Sequence, residues 1–321
     1  MLVDLALIIG GLVLLILGAD RFVFGGSATA RNLGVAPLLI GLTVVACATS
    51  APEILVSVVA ALRGESSLAI GNAIGSNIAN VGLVLGAVAL VRPIEMRSAT
   101  LRREMPALLA VTLMTVCMFL DRFLSRVDGV VLLATLLVVM IWLVKLGIKS
   151  PDSDPIKTDF EAEIPTNVSM LKAVFWLIAG LLILLGGAQL MVSGAVSLAR
   201  DLGVSELVIG VTIVALATSL PELSVSLVSA IRGEYGLAIG NIIGSNIFNS
   251  LAVIGAAVVI HPTHLAENVL TLHLFVMIGF TLALFAMTYY YDGTAKIDRR
   301  SGFALLLAYF SYGTYTAVQN L

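Results

Sequence analysis

Charge is scarce in this chain. Only 12% of its 321 residues are Asp, Glu, Lys or Arg, where a soluble domain carries about 25%. The net charge of −2 offers no basic field to attract nucleic acid, so that class of partner is excluded. Cysteine is nearly absent too. Cys47 and Cys117 both lie inside apolar runs, which speaks against a disulfide or a cysteine metal cage and for packed thiols. Three histidines remain, His261, His264 and His273, in or near one connection and the span after it. They read as surface or interfacial residues. Zinc and copper, which favour His and Cys, are therefore poor candidates. Ahead of the first apolar run stands Asp4 and no Lys or Arg, so a cleaved leader is not expected.

What the chain has in abundance is apolar sequence: 59% of its residues, with a mean hydropathy of +1.07. Apolar runs bounded by charge and turn signals occur at 4–30, 37–62, 67–91, 103–120, 128–147, 171–199, 206–231, 236–260, 267–291 and 301–318. Each is long enough, or nearly so, to cross a bilayer as a helix. The expected fold is an all-α integral membrane protein of ten transmembrane helices. The one long polar stretch, 148–169, reads as a flexible connector between 1–147 and 170–321, each with five spans. With the N-terminus outside, only Arg63, Arg122, Arg126 and Arg200 of the 18 basic residues fall on the outer side. That bias predicts an outside N-terminus and a cytoplasmic connector.

The two halves repeat. Residues 41–93 contain GLTVVACATSAPEILVSVVAALRGE and then LAIGNAIGSNIAN. Residues 210–262 contain GVTIVALATSLPELSVSLVSAIRGE and then LAIGNIIGSNIFN. The register is constant, Glu53 matching Glu222 and Asn80 matching Asn249. With five spans per half, the second copy enters the membrane from the opposite face, which predicts two inverted five-helix repeats. Transporters of that design bind their substrate near the midplane, between the repeats.

Glu53 and Glu222 fall deep within apolar spans with no Lys or Arg mid-span beside them. A carboxylate there must face a cavity, meet a cation or carry a proton. Thr49 and Ser50 lie four and three residues before Glu53, on its face of the helix, and Thr218 and Ser219 repeat this before Glu222. Ser57, Ser224, Ser226 and Ser229 are expected only to bond back to their own helices. Pro52 and Pro221 lack an N–H, so each frees a carbonyl four residues earlier, at Ala48 and Ala217, and predicts a broken helix. Breaks are expected in spans 2, 3, 7 and 8. In the spans that follow, Asn72, Ser76 and Asn80 share a face, as do Asn241, Ser245 and Asn249. Gly71, Gly75, Gly240 and Gly244 serve either helix packing or close approach of an ion.

Carboxylate, hydroxyl, amide and backbone oxygen make an all-oxygen donor set, suited to Na⁺ or Ca²⁺. Two carboxylates balance one Ca²⁺ or two Na⁺, so these ions would compete for one cavity. The residues alone leave open Na⁺ or H⁺ as counter-ion, and also a passive cation channel. No cofactor and no enzymatic activity are expected.

ATSAPE and ATSLPE, each followed by a GN-x-IGSN-I-x-N segment, resemble the paired α-repeats of the Ca²⁺/cation antiporter superfamily, and within it the prokaryotic sodium/calcium exchanger branch. The resemblance implies alternating access, with Ca²⁺ leaving the cell as Na⁺ enters, in the plasma membrane and as a functional monomer. It implies ion ligands at Thr49, Ser50, Glu53, Ser76 and Asn80, and at Thr218, Ser219, Glu222, Ser245 and Asn249. It also implies helix-break carbonyls at Ala46 and Ala215, close to those the prolines indicate. Thr49-Ser50 and Thr218-Ser219 stand where the proton/calcium branch has Gly-Asn, which favours Na⁺. Several Na⁺/Ca²⁺ members, as well as the K⁺-dependent ones, carry Asp where this chain has Asn249, so the resemblance implies two acids here rather than three and speaks against a K⁺ requirement. In the resembling family the first and sixth spans slide across the core to switch access.

Overall fold

The computed structural model describes residues 2–96, 101–148, 168–202, 218–265, 269–288 and 295–319. All but the ends of the 148–169 connector, and the first part of the expected seventh span with Ala215, lie outside them.

The described residues are helical almost throughout. The helices are α1 (Leu2–Leu33), α2 (Pro37–Thr49), α3 (Ala51–Leu62), α4 (Ser66–Val91), α5 (Leu101–Phe119), α6 (Arg126–Ile148), α7 (Met170–Asp201), α8 (Leu220–Ile231), α9 (Tyr235–Ile260), α10 (Val269–Thr288) and α11 (Arg299–Gln319). Six of them, α1, α4, α6, α7, α9 and α10, are long and apolar enough to cross a membrane alone. The bent pair α2–α3 makes a seventh candidate. Two short antiparallel ribbons join distant connections: β1 (Ile94–Met96) with β4 (Ala295–Ile297), and β2 (Phe123–Leu124) with β3 (Thr263–His264). Beside β4, Asp298 accepts the Ser301 amide at 2.9 Å and its hydroxyl at 2.8 Å, capping α11. Those bonds hold the Asp298 carboxyl below the usual carboxylate range.

Span 2 breaks where its proline predicts. The chain bends by 43° between α2 and α3. Pro52 sits in the first turn of α3, where a missing N–H leaves no helical bond unmade. Pro221 holds the same place in α8. The breaks expected in spans 3 and 8 are not there. Both α4 and α9 are continuous, and each widens into a π-helical segment instead, at Asn80–Leu85 and at Asn249–Val253. Neither helix contains proline, so the hydrogen-bond ladder shifts by one residue without losing a donor. Such wide turns concentrate at functional sites.

Burial sorts the helices into a centre and a rim. The apolar windows of α4 and α9 are 78% and 89% buried, those of α1 and α7 only 28% and 22%. At the centre, Gly41 of α2 crosses Gly240 of α9 backbone to backbone. Gly244 is likewise covered by Leu42, so packing explains this pair of glycines. A methyl at Gly71 or Gly75 would meet nothing within 4 Å among the described residues. Gly64 and Gly233, with φ of 81° and 82°, end α3 and α8 in the same left-handed turn. In each turn the next amide reaches back five residues, Glu65 to Ala60 and Glu234 to Ser229.

On the rim, α1 and α7 run antiparallel with glycine every seventh residue: Gly11, Gly18 and Gly25 on one, Gly180, Gly187 and Gly194 on the other. Each of the six lies against the partner's backbone: Gly18 faces Leu184, Gly25 faces Leu177 and Gly180 faces Phe22. An ion pair from Asp20 to Arg232 ties α1 to the end of α8, and Arg21 lies 4.8 Å over the Trp176 ring of α7. The two thiols depart from expectation. Cys47 and Cys117 are free but exposed rather than packed, because their helix faces point out of the bundle, where lipid suits a thiol as well as a core does.

A methyl on Gly18 or Gly180 would collide with the facing backbone. Gly18→Ala is therefore expected to destabilise the bundle by about 1–3 kcal/mol, the usual cost of overpacking. Gly186→Ala, with open space around it, should leave the thermal midpoint in detergent unchanged. Equal midpoints for the two variants would refute the close packing.

Candidate ion-binding site

Glu53 and Glu222 each occupy the third position of a helix, α3 and α8. There the unpaired amides of the first turn favour a negative charge. Both are buried, at 1% and 2% exposure, and each feels groups from the other half of the chain. Glu222 and Thr218 neighbour Glu53. Thr49 and Ser50 neighbour Glu222. Ser50 precedes α3 but does not cap it. Its hydroxyl goes to Glu222 Oε1 at 3.4 Å.

The next layer is built on α9 and α4. Thr49 donates to Asn241 Oδ1 at 3.0 Å and lies 3.5 Å from the Ser245 hydroxyl. Asn241 Nδ2 donates to Ser226 at 3.0 Å and lies 3.4 Å from the Glu222 carbonyl. Asn241 thus clamps α2, α8 and α9 together. In the first copy Asn72 reaches Ser57 at 3.4 Å. Ser57 and Ser226 were expected to bond only to their own helices. Each instead accepts an asparagine NH₂ from the neighbouring helix, because an amide buried in lipid needs an acceptor. Asn80 donates to Asn246 Oδ1 at 3.0 Å, and Asn77 to Ser250 at 2.9 Å. Asn246 recurs in the repeat with Asn77, so register alone could have flagged it beside Asn72 and Asn241.

Of the expected ligands, Thr49, Ser50, Glu53, Ser76, Asn80, Ser219, Glu222, Ser245 and Asn249 are all buried, and Thr218 is half-buried. The π segment opened by Asn80 packs on α8, and the one opened by Asn249 packs on α3. Each amide is thereby brought to the helix carrying the other copy's glutamate. The Ala46 carbonyl accepts the Ser50 amide at 2.9 Å, and the Thr49 hydroxyl oxygen lies 3.3 Å from it. Ala215 lies outside the described residues. His261 and His264 are exposed, while His273 is half-buried on α10 and 2.6 Å from the Tyr312 hydroxyl.

Six buried oxygens in this region have no hydrogen-bond donor among the described residues: both of Glu53, Oε2 of Glu222, and Oδ1 of Asn77, Asn80 and Asn249. One buried donor, Asn246 Nδ2, is likewise without a partner among them. A buried acceptor without a donor is costly, and a hard cation satisfies several at once.

The sequence model of the family described as sodium/calcium exchanger protein matches residues 3–145 and 172–318. The chain belongs to the sodium/calcium exchanger family. It is 45% identical over 312 residues to CaxA of Alkalimonas amylolytica, covering 97% of this chain and 98% of that protein. It is 30% identical to the sodium/calcium exchanger MaX1 of Methanosarcina acetivorans, covering 97% of each. Solved structures of the sodium-calcium exchanger NCX_Mj superpose with a TM-score of 0.84 at 36% identity, over 100% of this chain and 99% of theirs. The chain is accordingly a multi-pass membrane protein and a cation antiporter rather than an enzyme.

In this exchanger Thr49→Val would leave the buried Asn241 oxygen without its donor. We expect a loss of about 1–3 kcal/mol, read as a lower unfolding midpoint in detergent, with Thr49→Ser close to wild type. The two variants behaving alike would argue against the clamp.

Proposed function

We propose that this chain exchanges Na⁺ for Ca²⁺ by alternating access, at a site held between Glu53 and Glu222. One observation carries the reading: two buried carboxylates contributed by opposite halves of the chain neighbour each other, and three of their four oxygens have no hydrogen-bond donor among the described residues. The charge of the pair fits one Ca²⁺ or two Na⁺, so each ion displaces the other, and that displacement is the physical basis of antiport. The family and the names of the relatives support the same ion pair. The ligands would be Glu53, Thr49, Ser50, Ser76, Asn80 and the Ala46 carbonyl, with Glu222, Thr218, Ser219, Ser245, Asn249 and the Ala215 carbonyl from the second copy.

The frame that goes with this reading is ten spans in two inverted five-helix repeats, 1–147 and 170–321, joined by a cytoplasmic connector at 148–169. The N-terminus would lie outside, in the plasma membrane, and one chain would suffice for transport. An inverted pair of repeats gives a single midplane site two equivalent routes to water. A passive channel would need both routes open together.

In proteoliposomes loaded with Na⁺ and diluted into Na⁺-free buffer, ⁴⁵Ca²⁺ should accumulate. Glu53→Gln and Glu222→Gln should each abolish that uptake while leaving a folded protein, since the amide keeps the size and loses the charge. Uptake driven by a pH gradient and indifferent to Na⁺ would assign the counter-ion to H⁺ instead, because a buried carboxylate can also carry a proton. Wild-type uptake by either variant would falsify the site.

A further inference from the structure

The exchange reading uses Asn80 but gives no task to Asn246, which is 1% exposed and lies one helical turn before Asn249 on α9. The geometry between them is specific. Asn80 Nδ2 donates to Asn246 Oδ1 at 3.0 Å. Asn80 Oδ1 and Asn246 Nδ2 are both buried and have no partner among the described residues.

An asparagine amide has a donating end and an accepting end of nearly equal size. Its hydrogen bonds, not its shape, therefore decide which end faces a site. Two buried carboxylates favour the wrong choice here. Asn80 opens the π segment that packs on the helix of Glu222. Turned the other way, its NH₂ could donate to a carboxylate and take the place of a cation. A competing acceptor prevents this, and Asn246 Oδ1, 3.0 Å from the Asn80 nitrogen, is that acceptor.

The device is one-sided. Asn77, which matches Asn246 in the first copy, gives its NH₂ to Ser250 at 2.9 Å, with the Met277 sulfur 3.5 Å away.

We propose that Asn246 is a positioning residue that holds the Asn80 amide with its oxygen toward the Glu53–Glu222 pocket, making that amide a cation ligand. The assignment rests on that pocket being the transport site. It also predicts which substitutions Asn246 tolerates. The only group it uses is its oxygen, so Asn246→Asp keeps the interaction and Asn246→Leu destroys it. A residue that merely filled space among apolar helices would show the reverse order, since Leu packs there and a buried charge does not.

The test is Na⁺-driven ⁴⁵Ca²⁺ uptake by the full-length chain in proteoliposomes, with apparent Ca²⁺ affinity and maximal rate measured separately. Asn246→Leu should weaken apparent Ca²⁺ affinity by about tenfold or more, in line with the loss of an oriented polar contact. Asn246→Asp should stay within about threefold of wild type. If Asn246→Leu does not yield monodisperse protein, Asn246→Ala serves as the variant without an acceptor. Leu tolerated and Asp damaging, or both equally damaging, overturns the proposal. Glu222→Gln measured alongside separates the two assignments. Wild-type uptake there sinks the pocket and this proposal with it. A dead Glu222→Gln with a silent Asn246→Leu sinks only the positioning role.

Discussion

Two carboxylates held out of water are the constraint to which the rest of this structure answers. An ionised carboxylate removed from solvent costs several kcal/mol unless its surroundings return what water gave it. The chain returns part of that. It places Glu53 and Glu222 in the first turns of α3 and α8, where free amides cluster. It also sets hydroxyls from the opposite half beside them. Full compensation would have filled the site with protein donors and left nothing for an ion to do. Instead most of the surplus is acceptor, the carboxylate oxygens above all, and that deficit is one that a cation makes good.

The scaffold answers to the same constraint. Continuous, deeply buried α4 and α9 hold the asparagines, and the local widenings that begin at Asn80 and at Asn249 pack against the glutamate helices without breaking either span. A full break would have exposed backbone polar groups in an apolar centre. A break is tolerated where proline already removes the donor, between α2 and α3. The rim follows another rule. Because α1 and α7 meet backbone to backbone through glycine, they pack on each other more intimately than on the bundle and form a unit beside it.

The sequence made the spans and the paired chemistry legible because both rest on composition and register, which are local. The run 4–30 became Leu2–Leu33, and 171–199 became Met170–Asp201. The break at Pro52 could be read because proline acts on its own helix. The continuity of α4 and α9 could not. Glycine and asparagine permit a break as readily as a π segment, and packing by neighbours from the other half decides between them. Contacts across the halves were equally out of reach. Ser226 looks like any serine in a membrane helix until Asn241 is seen to donate to it. Gly11, Gly18 and Gly25 recur every seventh residue, a spacing that has meaning only once α7 lies alongside. The exposed faces of Cys47 and Cys117 failed for the converse reason, since a chain bathed in lipid gives apolar residues no signal that separates inside from out.

Nearly identical repeats do not make identical contacts here. Asn241 and its counterpart Asn72 do make the same bond, each donating to a serine of the neighbouring helix, Ser226 and Ser57. Asn246 engages Asn80, whereas its counterpart Asn77 turns to Ser250. Part of this is chemical, since Ser250 matches Val81 in the first copy. Part is arrangement: Asn80 reaches Asn246, while Asn77 Oδ1, the equivalent target of Asn249, has no partner among the described residues. On the exchange mechanism proposed for this chain, it is also required. Two halves making equivalent contacts at one time would open the site to both faces or to neither. Inequality between like sequences lets one half seal its side while the other admits water, and exchanging those roles reverses access without any new interaction. The asparagines would then be more than ligand supports. Asn80 and Asn249 are the same residue in the two copies, so the bond that one makes to the opposite copy's asparagine is chemically open to the other.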